Sequence, residues 1–311
     1  MKLAFVFPGQ GSQSVGMMAA YGETAVVRDT LAEANEALGF DLAAMIAEGP
    51  SEALNQTVNT QPAMLAAGVA VYRLWQSQGG MTPALMAGHS LGEYTALTCA
   101  GAFAFDAALK LVRLRAEAMQ SAVPAGVGAM AAVLGLDDDL LRAVCAEAAQ
   151  GEVLEAVNFN APGQVVIAGH QSAVDRGCAL AKERGAKRAL PLPVSVPSHC
   201  ALMRPAAERL LEAMADIEIK APAIPVIHNA DVATHADPAA IRAALARQLY
   251  SPVRWVESMR TFAAMGVTRI AECGPGKVLA GLNKRILDNV PTLALADAAS
   301  IMDLRDSVIN A

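Results

Sequence analysis

The sequence predicts an α/β protein with a second, smaller unit inserted into the first. Three observations carry that reading. Short apolar runs alternate with longer Ala-rich helical stretches, as in chains built on a parallel sheet. The texture changes at Val123-Pro124-Ala125-Gly126 and reverts near Pro197. Between those points the elements run strand, helix, strand, strand, helix, strand over about 70 residues, the split pattern of a ferredoxin-like domain.

Leu3–Phe7 is an apolar run closed by Pro8-Gly9, a buried strand and then a loop. Residues 25–37 and 63–76 are helical, with Pro62 in the first turn of the second and Gly79-Gly80 at its end. Residues 84–87 form a strand closed by Gly88, and a helix runs from Leu91 to about Ala100. Residues 105–120 are a further helix with Leu109, Val112 and Ala116 on one face. In the inserted unit, 129–134 is a strand, and Asp137-Asp138-Asp139 supplies cap chemistry for a helix over 138–149. Strands at 153–158 and 165–169 flank the Pro162-Gly163 turn, followed by a helix over 172–185 and a strand over 188–194. Beyond it, 203–215, 239–249 and 258–265 are helical, 225–229 and 267–272 are strands, and 278–287 is a last helix. The final twenty residues carry no usable motif.

Composition removes several functional classes. Hydrophobic residues make up 54% of the 311 and charged residues 17%, the reverse of a disordered chain. A net charge of −6 argues against a dedicated nucleic-acid binder. Pro8 interrupts the first apolar run too early for a signal peptide, and the nearly apolar stretch 63–72 is far short of a membrane span. Five scattered cysteines without a CxxC fit neither a disulfide framework nor a zinc ribbon, and suit a reducing cytoplasm.

The sharpest chemical signal is Gly88-His89-Ser90-Leu91-Gly92, a G-x-S-x-G between a strand and a helix. That turn exposes a serine oxygen at a helix N-terminus, where free N–H groups can hold an oxyanion. A serine nucleophile needs a base. Of the five histidines, His199 in Val196-Pro197-Ser198-His199-Cys200 is the best placed, at a loop-to-helix junction after the insert. A buried structural histidine is the alternative. Other pairings are weaker. His170 and Asp175 lie inside the small unit, His89 and Glu93 lack further metal ligands, and Gly274-Pro275-Gly276-Lys277 lacks P-loop spacing. Arg113 and Arg115 project to roughly opposite helix faces, so one can face a cleft.

Phe7-Pro8-Gly9-Gln10-Gly11-Ser12-Gln13, Gln61-Pro62-Ala63, Gly88-His89-Ser90-Leu91-Gly92-Glu93, Arg115, Asn158-Phe159-Asn160, Pro197-Ser198-His199 and Gly274-Pro275-Gly276-Lys277 occur in that order. Together they resemble the malonyl-CoA:acyl carrier protein transacylases of bacterial fatty-acid synthesis, over nearly the whole chain. The resemblance implies an α/β-hydrolase-like large domain over 1–123 and 197–311, with a ferredoxin-like domain over 124–196. It implies Ser90 as nucleophile, His199 as base, and the backbone N–H groups of Gln10 and Leu91 as the oxyanion hole. Arg115 would take the malonyl carboxylate, Gln248 would orient His199 through its backbone carbonyl, and Gln61, His89 and Asn160 would support the cleft. It further implies malonyl-CoA and acyl carrier protein as partners, no metal or nucleotide cofactor, and a cytoplasmic enzyme; a monomer is expected because nothing in the sequence points to a large apolar interface. An acidic carrier would need a local basic patch, with residues 182–188, Lys277, Lys284 and Arg285 as candidates.

Three rivals stand beside it: a serine hydrolase, which needs an acid between serine and histidine in chain order; a polyketide-type acyltransferase; and a silent carrier-binding module.

Overall fold

The computed structural model describes residues 1–194 and 196–309. Ser195, within the expected 124–196 unit, and Asn310 and Ala311, at the end of the expected 197–311 segment, lie outside them. Among the described residues nine strands form two sheets: β1 Leu3–Phe7, β2 Leu85–Gly88, β3 Gly128–Leu134, β4 Leu154–Ala161, β5 Gln164–His170, β6 Arg188–Pro191, β7 Val226–Ile227, β8 Arg269–Glu272 and β9 Thr292–Ala294.

The larger sheet has the order β7-β2-β1-β8-β9, with every pairing parallel. β1 is buried along its whole length, as a central strand covered on both faces must be. Its Phe5 packs against Trp75 of the helix Thr57–Ser77, ring centroids 5.4 Å apart. The chain leaves β1 for β2 on one side and returns to β8 on the other. Strand order therefore reverses between β1 and β8, and open α/β sheets bind ligands at the carboxyl ends of their strands beside such a reversal. The loops after β1, β2 and β7 all lie at that end.

The smaller sheet has the order β4-β5-β3-β6, antiparallel throughout. Helices Asp138–Ala149 and Gln171–Glu183 cover one face over a separate core that includes Leu141, Val144, Ile167 and Val174. Its other face carries Met130, Val157 and Val166 against Cys200 of the larger body. Asp137 caps the first helix as expected, its side chain accepting from Asp139 N at 2.9 Å.

Several elements differ from expectation. The helix expected over 63–76 runs Thr57–Ser77, so Pro62 lies inside it rather than in its first turn. A proline there forfeits one bond, to the carbonyl of Val58, while its fixed φ suits the helix. The strand expected over 188–194 stops at Pro191, because Pro191 and Pro193 have no N–H to donate. The strand expected over 225–229 is only Val226–Ile227. The helices Leu42–Glu48, Ser51–Leu54 and Ala298–Ile309, and the edge strand β9, were not anticipated, so Val278–Ile286 is not the last helix. Among the described residues no helix is long and apolar enough to cross a membrane.

Candidate active site

Gly88 ends β2, and the chain turns so tightly that Ser90 adopts φ 52°, a left-handed conformation rare for a residue with a side chain. The flanking glycines are required sterically. A Cβ on Gly88 would sit 1.8 Å from the Gly92 carbonyl carbon, and one on Gly92 would sit 2.1 Å from the Phe7 oxygen. The loop after β1 is pressed onto the same turn, since a Cβ on Gly9 would meet the His89 oxygen at 2.5 Å. Helix Gly92–Cys99 then starts with its N-terminus toward Ser90.

Ser90 Oγ lies 2.8 Å from His199 Nε2. The other ring nitrogen, Nδ1, lies 2.8 Å from the backbone carbonyl of Gln248. A carbonyl only accepts, so Nδ1 carries the proton and Nε2 is free to accept from the serine hydroxyl. His199 also has a left-handed backbone, φ 68°. Strain at both members of one pair marks a site whose geometry the surroundings over-determine. Burial, and then the positive charge of Arg115, push the His199 pKa from 6.5 down to about 3. Cys200, next in sequence, points away: its Sγ bonds the Pro197 carbonyl, and burial pushes its pKa up to about 12.

Arg115, on helix Phe105–Ala122, is buried, whereas Arg113 lies over Phe40 and pairs with Glu117. The Arg115 guanidinium donates to Gln61 Oε1 at 2.8 Å, Gln248 Oε1 at 3.1 Å and Ser90 Oγ at 3.3 Å. It rests 5.3 Å from the Tyr94 ring centroid. Its Nε and the Tyr94 hydroxyl have no hydrogen-bond partner. Every hydrogen-bond acceptor that Arg115 meets is neutral, so a buried cation lacks a counter-charge in direct contact. Burial accordingly lowers its pKa from the ordinary value.

Ser90, His199, Arg115, Gln61, Gln10 and Leu91 line one cleft of about 600 Å³ between the large sheet's carboxyl end and the small sheet. No hydrogen bond within the described residues engages the backbone N–H of Gln10 or of Leu91. Gln248 lies behind the cleft wall. His89 lines the cleft, its ring against Trp255, and its Nε2 lies 2.7 Å from Oδ1 of Asn160, which is not part of the lining. Asn158 rather than Asn160 faces the cleft, and its Oδ1 is buried without a partner.

The roles of three buried residues escaped the sequence reading. Glu93 accepts from Asn229 N and Gln248 Nε2, both at 2.9 Å, and its other oxygen lies 2.7 Å from His228 Nδ1. Asn229 accepts from Ser90 N at 2.7 Å and donates to the Gly88 carbonyl at 2.7 Å, clasping the turn. Their signal was positional: His228 and Asn229 directly follow β7, beside β2 in the sheet. The weaker pairings do not converge. His170 Nδ1 accepts from Val153 N, Asp175 from Gln171, and the Glu93 carboxylate is committed elsewhere. Gly274-Pro275-Gly276-Lys277 is a tight turn, with Gly274 packed on Pro8. Of the basic candidates, Arg184 pairs with Glu147 and Arg285 donates to Gln164 and the Pro162 carbonyl; none lines the cleft.

A family described as acyl transferase domain matches residues 4–302. The malonyl CoA-acyl carrier protein transacylase of Salmonella typhimurium is 57% identical over 301 residues, 96% of this chain and 97% of that protein. The crystal structure of an acyl-carrier-protein S-malonyltransferase from Burkholderia pseudomallei superposes with a TM-score of 0.97 at 60% identity, covering 98% of this chain and 100% of that one. A malonyl-transacylase solved in complex with its type II polyketide acyl-carrier protein superposes with a TM-score of 0.97 at 52% identity, covering 99% and 100%.

Proposed function

The chain belongs to the malonyl CoA-acyl carrier protein transacylases, and from that membership we infer that it passes malonyl from CoA to acyl carrier protein through an ester on Ser90. The observation that carries the residue assignment is the 2.8 Å contact between Ser90 Oγ and the unprotonated nitrogen of His199, in a cleft that also holds Arg115.

In the first half-reaction Ser90 Oγ attacks the thioester carbon while its proton moves to His199 Nε2. The oxyanion settles on the N–H groups of Gln10 and Leu91, each such donor contributing roughly 3 kcal/mol to the transition state. The carbon–sulfur bond then breaks, and the CoA sulfur takes the proton from His199. In the second half the phosphopantetheine thiol of acyl carrier protein gives its proton to His199 and attacks the ester. The carbon–oxygen bond breaks and Ser90 recovers its proton. This is a ping-pong scheme in which residues of this chain supply the nucleophile, base and oxyanion donors. Arg115 selects the acyl group, because the distal carboxylate of malonyl supplies the counter-charge that Gln61 and Gln248 do not. A hydrolase-type triad finds no support: His199 Nδ1 meets a carbonyl where that class places a carboxylate.

The finer assignments belong to the same reading. We assign the two domains as 1–123 with 197–311 and 124–196, a reading supported by the chain's division into two sheets with the cleft between them. We further infer a cytoplasmic enzyme of fatty-acid synthesis, the setting that malonyl-CoA and acyl carrier protein suit, acting as a monomer. A basic surface beside the cleft would receive the carrier.

The test is intact-protein mass spectrometry after brief exposure to malonyl-CoA. A malonyl-sized gain on the wild type, absent in Ser90→Ala and discharged by acyl carrier protein, is the expected result. Release of free malonate with no adduct would favour a hydrolase. The pH profile gives a second check. The base must be neutral, and its lowered pKa keeps it so well into acid, so the acid limb of Ser90 acylation should lie well below 6.5. A limb at 6.5 would contradict the role given to His199.

A further inference from the structure

We propose that Glu93 is a positioning residue whose buried negative charge supports His199 at one remove, through the Gln248 side chain. The proposal rests on the reading of Ser90 and His199 above. Glu93 lies in the first turn of helix Gly92–Cys99, is fully buried, and is not part of the cleft lining. Its carboxylate accepts from Gln248 Nε2, from Asn229 N and, on its other oxygen, meets His228 Nδ1. Each contact leads back to the reacting centre. Gln248 holds His199 through its backbone carbonyl, Arg115 through Oε1, and the Ser90 carbonyl through Nε2. Asn229 holds the Ser90 N–H. One carboxylate thus lies two hydrogen bonds from Ser90 and from Arg115, and one residue from the carbonyl that holds His199.

A buried carboxylate is costly unless its charge is used or compensated. The charged and titratable groups around it and His199 are Arg115 from helix Phe105–Ala122, Tyr94 beneath that guanidinium, His89 behind Ser90, and His228 after β7. Arg115 disfavours a proton on His199, and Glu93 is the opposing charge on the far side of Gln248. The loop that presents His228 and Asn229 is itself strained. Val232, β-branched, sits at φ 57°. Its N–H closes on the His228 carbonyl at 3.0 Å, which fixes the turn that aims both residues at Glu93.

The experiment is single-turnover acylation by malonyl-CoA in the full chain, comparing wild type, Glu93→Gln and His228→Gln, with active sites counted by mass. Glu93→Gln keeps the shape and removes the charge. Its maximal rate per active site should fall about 30-fold, with half-saturation within about twofold, because the charge acts on the transition state and not on donor binding. The acid limb should move to lower pH, since losing a negative charge disfavours imidazolium. His228→Gln keeps the charge and donates an amide N–H in place of the ring, and should keep its rate. A wild-type rate in Glu93→Gln, a fall with an unmoved limb, or an equal fall in both variants would overturn the proposal. Should Glu93→Gln not fold, Gln248→Leu removes the side-chain bridge and leaves the backbone carbonyl on His199. It should lose rate to a similar extent, and a full rate would overturn the proposal. A wild type that forms no Ser90 adduct would instead sink the functional reading beneath it.

Discussion

Arg115→Ala is expected to lower kcat/KM for malonyl transfer by about 10³-fold, ~4 kcal/mol at 1.36 kcal/mol per tenfold, while acetyl transfer changes little or rises. The asymmetry follows from the surroundings of the guanidinium. It is buried, its acceptors are Gln61, Gln248 and Ser90, and none of them carries charge. A malonyl carboxylate turns that unpaired cation into a charge-assisted pair; an acetyl group leaves it unpaired. Removing Arg115 abolishes the reward for malonyl and the penalty for acetyl together. Steady-state transfer from malonyl-CoA and acetyl-CoA to the same carrier measures both. An equal loss for the two donors would assign Arg115 to the framework of the cleft rather than to acyl choice.

Gly88→Ala is expected to cost about 3 kcal/mol of stability and to reduce acylation more than 100-fold in whatever folds. The added methyl would lie 1.8 Å from the Gly92 carbonyl carbon and 2.3 Å from the Glu93 nitrogen, both backbone atoms that cannot rotate aside. Relief requires the helix Gly92–Cys99 to move off β2, and that movement separates Ser90 from His199, from the Leu91 N–H and from Asn229. Thermal melting together with counting of acylated sites checks both parts. Gly101→Ala provides the contrast. No heavy atom lies within 4 Å of its added carbon, so only the φ of 79° opposes it, and acylation per folded molecule should be retained. A Gly88→Ala protein with normal melting and normal acylation would show that the turn tolerates a wider opening than its packing implies.

Sequence alone was most informative where a signal is local. The serine turn announces itself by two glycines at fixed offsets, and the smaller sheet by amphipathic elements of ordinary length joined by short turns. His199 was legible through its place after the insert, and its contact with Ser90 joins residues 109 positions apart. The roles of Asn229 and Glu93 were not legible. Asn229 follows a strand of two residues, too short for any periodicity, and serves a turn 141 positions earlier. Glu93 reads as an ordinary acidic residue in a helix's first turn until the fold buries it against β7. The edge strand β9 was missed for a related reason: it exists by pairing with β8 and has an exposed leucine at its centre. The extra first turn of helix Thr57–Ser77 was hidden by Pro62, whose usual position at a helix start is a tendency that packing overrides.

The hydroxyl of Ser90 is doubly engaged before any donor arrives: it gives its proton toward His199 and receives an N–H from Arg115 at 3.3 Å. The second contact acts as a safety catch. A lone pair held by a cation is a poor attacking orbital, so the resting oxygen is restrained by the same guanidinium proposed to select the acyl group. A carboxylate that drew the guanidinium onto itself would release that lone pair, so the acid to be carried would itself arm the serine.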